Sequence, residues 1–200
     1  MKIHLYRHGE TQWNSKGMIQ GQTDTSLNEN GLNQAKELAK RVKASGIVVP
    51  RIYTSPQKRA KNTADAIAEI LGVPCVSKDG LKEICFGLWE GKTWEEVEKE
   101  YGAAFQTWYH NRRYQCTPEG ESYQMLLERV VDSMKEIVAE NANESDVIIV
   151  AHSAVILTLQ SWLNDTPFHE MVKRYKTKNA QGVVINSAAI YGKEVTEENI

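Results

Sequence analysis

The sequence predicts an α/β fold: a three-layer α/β/α arrangement with a mostly parallel central sheet and a small helical and aromatic cap insertion. Three observations lead there. Strand-like and helix-like segments alternate through the first 77 residues, and a continuous apolar run at Asp146–Ala151 suits a strand covered on both faces. A region at roughly 84–125 then breaks the alternation with clustered aromatic residues.

Residues 2–6 alternate polar and apolar side chains and stop at Arg7-His8-Gly9, which reads as a short strand running into a functional turn. Residues 9–27 read as a polar loop. Asn28 is a good N-cap, and Leu32, Ala35, Leu38, Ala39 and Val42 recur at helical spacing until Gly46 stops the pattern. Residues 51–54 read as a second strand. Ser55 and Pro56 then offer an N-cap and a first-turn proline for a helix with Ala60, Ala64, Ile67 and Leu71 on one face. Residues 74–77 suit a third short strand. Residues 80–120 lose clear periodicity and gather Trp89, Trp94, Trp108 and Tyr109, as expected of a cap over a site or of a small satellite core. Helical spacing resumes over 121–140, the strand at 146–151 ends at His152, 154–163 is the next helix, and 182–190 supplies a last strand or pair.

Composition narrows the class. A chain of 200 residues is expected to form a single domain over 1–200. Its hydrophobic share of 41% and charged share of 25% are ordinary for a globular protein and unlike a disordered or membrane chain. A net charge of -2 gives no long-range field for nucleic acid, so attraction for an anion must be local. The apolar runs are too short to span a membrane, and charges break the first residues where a signal peptide needs an apolar run, so a cytoplasmic protein is expected. Cys75, Cys85 and Cys116 are odd in number and widely spaced, which fits reduced thiols.

Two predicted strands, one from each end of the chain, terminate in histidine, at Arg7-His8-Gly9 and Val150-Ala151-His152. Ligands of open α/β sheets bind beyond the carboxyl ends of the strands, so both histidines can face one crevice. Arg59, about one turn into the helix after Ser55, can reach the same place. Two arginines offer guanidinium forks to a phosphate dianion, and a neutral histidine between them is a competent nucleophile toward phosphorus. His8 is the candidate nucleophile, His152 the candidate donor to the phosphoryl oxygens, and Glu83 the candidate acid for the leaving alkoxide. Each residue alone has a plainer reading. A single histidine at a strand end is usually structural, as expected of His4, His110 and His169; Arg59 alone reads as a solvated helix residue, and Glu83 is one acid among 26. The ensemble carries the argument. His8-Gly9-Glu10 superficially matches the H-x-E of zinc deaminases, but Pro74-Cys75 continues Val76-Ser77 where P-C-x-x-C is required, and the arginines would repel a cation. Neither a metal nor a cofactor is expected.

Arg7-His8-Gly9-Glu10-Thr11 followed by Trp13-Asn14 resembles the signature of the histidine phosphatase superfamily, the phosphoglycerate mutase-like group. The likeness continues through Gln20-Gly21, Asp24, Leu27, Gly31, Gln34-Ala35, Thr54-Ser55, Arg59-Ala60 and Thr63-Ala64. It resumes at Leu81, Glu83, Gly87, Trp89-Glu90-Gly91, Gly120-Glu121-Ser122 and Val150-Ala151-His152, and so spans nearly the whole chain. In appearance the chain is most similar to the short broad-specificity phosphatase and alpha-ribazole phosphatase branch. The resemblance implies that His8 is phosphorylated, that Arg7, Arg59 and His152 bind the phosphoryl group, and that Glu83 is acid and base. It also implies that the Gly9 carbonyl orients the nucleophile's ring. Asn14, Gln20 and Gly21 match positions lining the phosphate or substrate site, although the amides of Asn14 and Gln20 can instead hold the loop together. The family usually has glycine after its second histidine, where this chain has Ser153-Ala154. Ser153 is therefore either an added donor beside the substrate or an N-cap of the following helix.

The activity implied is metal-independent hydrolysis of small phosphorylated metabolites, among which the wider family handles sugar phosphates, phosphoglycerates, phosphoserine and α-ribazole phosphate. The alternative is phosphoglycerate mutase-type transfer. Arg112-Arg113-Tyr114 is similar to an arginine pair that mutases use on anionic groups, although solvated cap arginines are the expected reading. The short stretch between the last apolar residues and Ile200 favours the phosphatase. A more remote alternative is a non-catalytic phospholigand-binding module, against which the intact set His8, Glu83, Arg7, Arg59 and His152 argues. The expected partner is a small phosphorylated metabolite, with no nucleic acid and no membrane; a homodimer is left open.

Overall fold

A computed structural model describes residues 1–141 and 146–193; the stretch before Ile200 used in comparing phosphatase with mutase lies outside them. Among the described residues five strands form one sheet: β1 (Lys2–Arg7), β2 (Ile52–Thr54), β3 (Cys75–Ser77), β4 (Asp146–Ala151) and β5 (Gly182–Asn186), in the order β3-β2-β4-β1-β5. The first four run parallel, and β5 pairs antiparallel with β1. β4 lies at the centre, which explains its unbroken apolar run. Successive strand residues face opposite sides, so Val147, Ile149 and Ala151 join one core while Ile148 and Val150 join the other.

Helices cover both faces. The short α1 (Gln12–Ser15) follows β1, and α2 (Glu29–Ala44) and α3 (Lys58–Leu71) then place Leu38, Val42, Ala60, Ala64 and Ile67 against Ile52, Ile148 and Val150. After α4 (Trp94–His110), α5 (Tyr123–Glu140) and α6 (Ser153–Leu163) bury Leu126, Val130, Met134, Val155 and Leu159 against Ile3, Leu5 and Ile149. Two short helices, α7 (Met171–Tyr175) and α8 (Ala188–Tyr191), flank β5. The three-layer α/β/α arrangement with a mostly parallel sheet is thus the observed fold.

Several local expectations change. Leu32 is 47% exposed although it continues the α2 periodicity, because it lies at the edge of the buried stripe. α3 begins at Lys58 with Gln57 at the cap position, not at Pro56. Ser55 extends the sheet ladder by donating its backbone N–H to Val150 O (3.1 Å), and its hydroxyl accepts from Gln57 N in a tight turn before the helix. The region without apparent periodicity contains α4, opened by a Thr93–Glu96 capping box and bent at Gly102 (φ 32°, ψ -98°), which interrupts the helical register. The final apolar stretch is one strand, β5, followed by α8.

The aromatics divide. Trp89 and Trp108 are buried in the same core cluster as β1 and α5, with ring centroids 5.1 Å apart, so they belong to the main core and form no satellite. Trp94 and Tyr109 remain substantially exposed.

Ile149→Ala should lower unfolding free energy by about 2–5 kcal/mol, as expected for truncating a fully enclosed aliphatic side chain. Urea denaturation checks this, and a loss below about 1 kcal/mol would mean that the central strand tolerates collapse around a cavity.

Candidate active site

Strand pairing brings the two histidines together. Arg7 is in register with Ala151, and His8 N donates to Ala151 O (3.1 Å), so His8 and His152 emerge side by side beyond adjacent strand ends. Their rings are tilted with centroids 5.2 Å apart. β2 flanks β4 on the other side, and the turn after Thr54 leads into α3, which carries Arg59 to the same end of the sheet. Glu83 arrives from the irregular segment after β3, and its carboxylate accepts from Ile84 N (3.1 Å) and from Ala154 N (3.3 Å) in the first turn of α6. Arg7, His8, Arg59, Glu83 and His152 therefore converge, all but Arg7 deeply buried.

His8 Nδ1 lies 2.6 Å from the Gly9 carbonyl, which can only accept, so Nδ1 carries the proton and Nε2 keeps its lone pair. Gly9 is also required sterically: a Cβ there would strike the Gly31 carbonyl in the first turns of α2. Burial, then the Arg59 and Arg7 charges, holds His8 well below the ordinary histidine range. Burial, then Arg59 and His8, does the same to His152, neither of whose ring nitrogens has a hydrogen-bond partner among the described residues. Burial raises the Glu83 carboxyl above its usual value against the pull of Arg59. The site combines a neutral nucleophile, a second imidazole with free hydrogen-bonding capacity, and a carboxyl biased toward its protonated form.

Arg59 donates through Nη1 to Thr23 O (2.8 Å) and through Nη2 to Gly21 O (2.7 Å); Arg7 Nη1 donates to Thr177 O (2.7 Å). Both retain a buried Nε without a partner among the described residues. Gly21 enters through its carbonyl, in a turn with φ 51° where a side chain would also collide with Glu90. The Glu90 carboxylate fastens that turn by accepting from Gln22 N, Thr23 N, the Thr23 hydroxyl and Phe86 N at 2.6–3.0 Å.

Asn14 and Gln20 are tied into the loop. Asn14 Oδ1 accepts from Thr11 N and from Asn179 Nδ2, both at 3.2 Å; Gln20 Oε1 accepts from the Thr11 and Thr25 hydroxyls at 2.7 and 2.6 Å. Ser153 is the first residue of α6, while His152 occupies the N-cap position, so the N-cap reading of Ser153 does not hold. Glu10 turns away from the histidines, accepting from Asn28 Nδ2 (2.8 Å) at the start of α2.

The profile of the histidine phosphatase superfamily, branch 1, matches residues 3–194. The chain belongs to this superfamily. Over 157 residues it is 36% identical to the metal-independent phosphoserine phosphatase of Arabidopsis thaliana, covering 78% of this chain and 65% of that protein. Over 153 residues it is 35% identical to phosphoserine phosphatase 1 of Hydrogenobacter thermophilus, covering 76% and 71%. The solved structure of YhfR from Bacillus stearothermophilus superposes with a TM-score of 0.83 at 31% identity, covering 92% of this chain and 90% of that one.

The sequence left three supporting side chains of this site, and one backbone carbonyl, unmarked. Gln57 accepts from Glu83 N (2.7 Å) through Oε1 and donates to Gly21 O (3.1 Å), linking the acid to the Arg59 loop. Asn179 and Thr177 support β1 from the far end of the chain, and Arg129 reaches the Glu83 segment from α5. Only folding joins these distant residues; the one local hint is Gln57, two positions before Arg59.

Because both histidines are depressed, the unfolded chain takes up protons below about pH 6.5 that the folded chain refuses. Their neutral burial is tolerated best above that pH, and stability falls as pH drops from there toward the folded-state values. His152→Gln should make the fall in Tm between about pH 7.5 and pH 5.5 shallower than in wild type. Parallel curves would show that His152 is not held neutral by the fold.

Proposed function

We propose that this chain hydrolyses small phosphomonoesters through a covalent phosphohistidine on His8, without a metal ion. The observation that carries the reading is the His8 ring, fixed by Gly9 O so that Nε2 is the unprotonated nitrogen, in a buried position under the charges of Arg59 and Arg7. Nε2 attacks phosphorus as the ester bond breaks, and Glu83 delivers its proton to the departing alkoxide. Arg7, Arg59 and the single N–H of neutral His152 donate to the phosphoryl oxygens as charge redistributes. The Glu83 carboxylate then takes a proton from water, which attacks the phosphohistidine, releases phosphate and restores His8.

The names of the relatives support a phosphatase and make phosphoserine the first substrate to test. The cap adds a physical reason. Arg112, expected to be solvated, is only 6% exposed and lies over the faces of Trp108 and Tyr109 at 4.9 and 4.7 Å, with its Nε lacking a partner among the described residues. It lines a cleft of about 860 Å³ with Ser161, Phe168 and His169, and the Tyr123 phenol feels both its charge and that of Glu83. A substrate with a second anionic group would satisfy it. The same arginine keeps mutase-type transfer as a second reading. Among the described residues no helix is long and apolar enough to cross a membrane, and a cytoplasmic setting suits the three free thiols.

His8→Ala should abolish phosphate release from p-nitrophenyl phosphate and phosphoserine while leaving the thermal transition cooperative. Persistent turnover would remove His8 as obligatory nucleophile. Wild-type rates should be unchanged by strong chelators, and a loss restored by zinc or magnesium would overturn the metal-free mechanism. With 3-phosphoglycerate, free phosphate is expected, and 2-phosphoglycerate appearing without it would select the mutase.

His152→Ala should lower kcat by about 10²–10³-fold, the usual scale for removing one preorganised donor. An acidic limb in kcat/KM should lie below the ordinary histidine range, because His8 loses activity only on protonation and its pKa is depressed. A limb at or above about pH 6.5 would contradict a buried, arginine-flanked nucleophile.

A further inference from the structure

The general acid assigned above sits on backbone that belongs to no helix or strand. Residues 83–86 lie between two short 3-10 turns, Asp79–Leu81 and Gly87–Trp89, so no ladder fixes the peptide from which the Glu83 carboxyl projects. The segment is instead held from α5. Arg129 Nη1 donates to Gly80 O (2.9 Å) and Lys82 O (2.6 Å), and Nη2 donates to Glu83 O (2.9 Å) and Glu121 Oε2 (2.8 Å). Nε donates to Glu121 Oε1 (2.9 Å), which completes a two-bond fork to the carboxylate. All five guanidinium donors are thereby used, three on the acid's own segment and two on Glu121. Glu121 closes the ring by accepting Cys85 N (2.8 Å).

We infer that the Arg129–Glu121 pair is the positioning device for the general acid, fixing the backbone on both sides of Glu83 so that its carboxyl is presented to the leaving oxygen. The arrangement needs arginine. A planar guanidinium can span three carbonyls and a carboxylate at once, whereas a lysine ammonium has three donors on a single nitrogen. It also needs close approach: at Gly80 a Cβ would strike the Ser133 hydroxyl and the Arg129 carbonyl, so the segment lies directly on α5. A displacement of about 1 Å in a catalytic group is enough to cost on the order of 10²-fold, which makes such bracing consequential. Neither residue is placed to touch the phosphate; they act through Glu83.

This inference rests on Glu83 being the acid, and the test keeps the two apart. kcat/KM would be measured for p-nitrophenyl phosphate, whose leaving group scarcely needs a proton, and for glycerol 2-phosphate, whose alkoxide does. Glu83→Gln should depress the alkyl substrate selectively. Arg129→Lys should lower the alkyl-to-aryl ratio on the order of ten-fold, with little change for the aryl ester. In a Glu83→Gln background it should produce no further change in that ratio. Glu121→Gln, nearly isosteric, should shift the ratio in the same direction and serves where Arg129→Lys fails to fold. Equal losses on both esters in the Arg129 or Glu121 variants, with Glu83→Gln still selective, would overturn the positioning role alone. A Glu83→Gln variant with no selectivity would overturn the acid assignment beneath it.

Discussion

Two guanidinium groups held beside a neutral imidazole set the terms for this structure. Arg7 and Arg59 lie next to His8, and their hydrogen-bonding partners at Thr177, Thr23 and Gly21 are backbone carbonyls. A carbonyl satisfies N–H donors without cancelling the charge, so the positive potential remains available to a dianion. Partnering each arginine with an ionised carboxylate would spend that potential inside the protein. The same potential, added to burial, keeps His8 unprotonated and therefore nucleophilic. One arrangement thus prepares both halves of the reaction.

That choice transfers the structural burden to loops, because carbonyls must be brought to the arginines by backbone with no other reason to be there. The Gly21–Thr23 turn is held by the Glu90 carboxylate, and Gln57 couples it to the Glu83 peptide. Among the described residues Glu83 is the one acid buried within this cationic cluster, and desolvation outweighs the arginines in setting its protonation. Its carboxyl is also anchored to Ala154 N, at the start of the helix that His152 caps. Arg59, Glu83 and the start of the helix that follows His152 are consequently connected through hydrogen bonds shared by segments far apart in sequence.

This division explains what could be read from the sequence. The sheet and its flanking helices follow from periodicity, and β4 was legible to the residue because both its faces are apolar. His8, His152 and Arg59 were legible because strand ends and first helical turns have fixed places relative to a parallel sheet. Gln57, Asn179 and Arg129 carry no such signature; their importance lies in which carbonyl or peptide each meets after folding. The start of α3 was misplaced for a related reason, since the Ser55 N–H is claimed by Val150 across the sheet. In α4 the Thr93–Glu96 cap was available in the sequence, but the bend at Gly102 broke the periodicity on which the reading depended.

The aromatic region joins the main core to a buried cation. Trp89 and Trp108 are packed into the main core, so they fix the start of the cap as firmly as any strand. Trp108 then offers one of its faces to Arg112, and Tyr109 offers another, holding a cation by ring quadrupoles where a carboxylate would neutralise it. This repeats at the cap the solution seen around His8: a buried positive charge is retained while its potential stays uncancelled. On the function proposed above, two such centres, one assembled from strand ends and one from an aromatic helix end, would favour a small phosphomonoester with a second anionic group over one whose alcohol portion is uncharged.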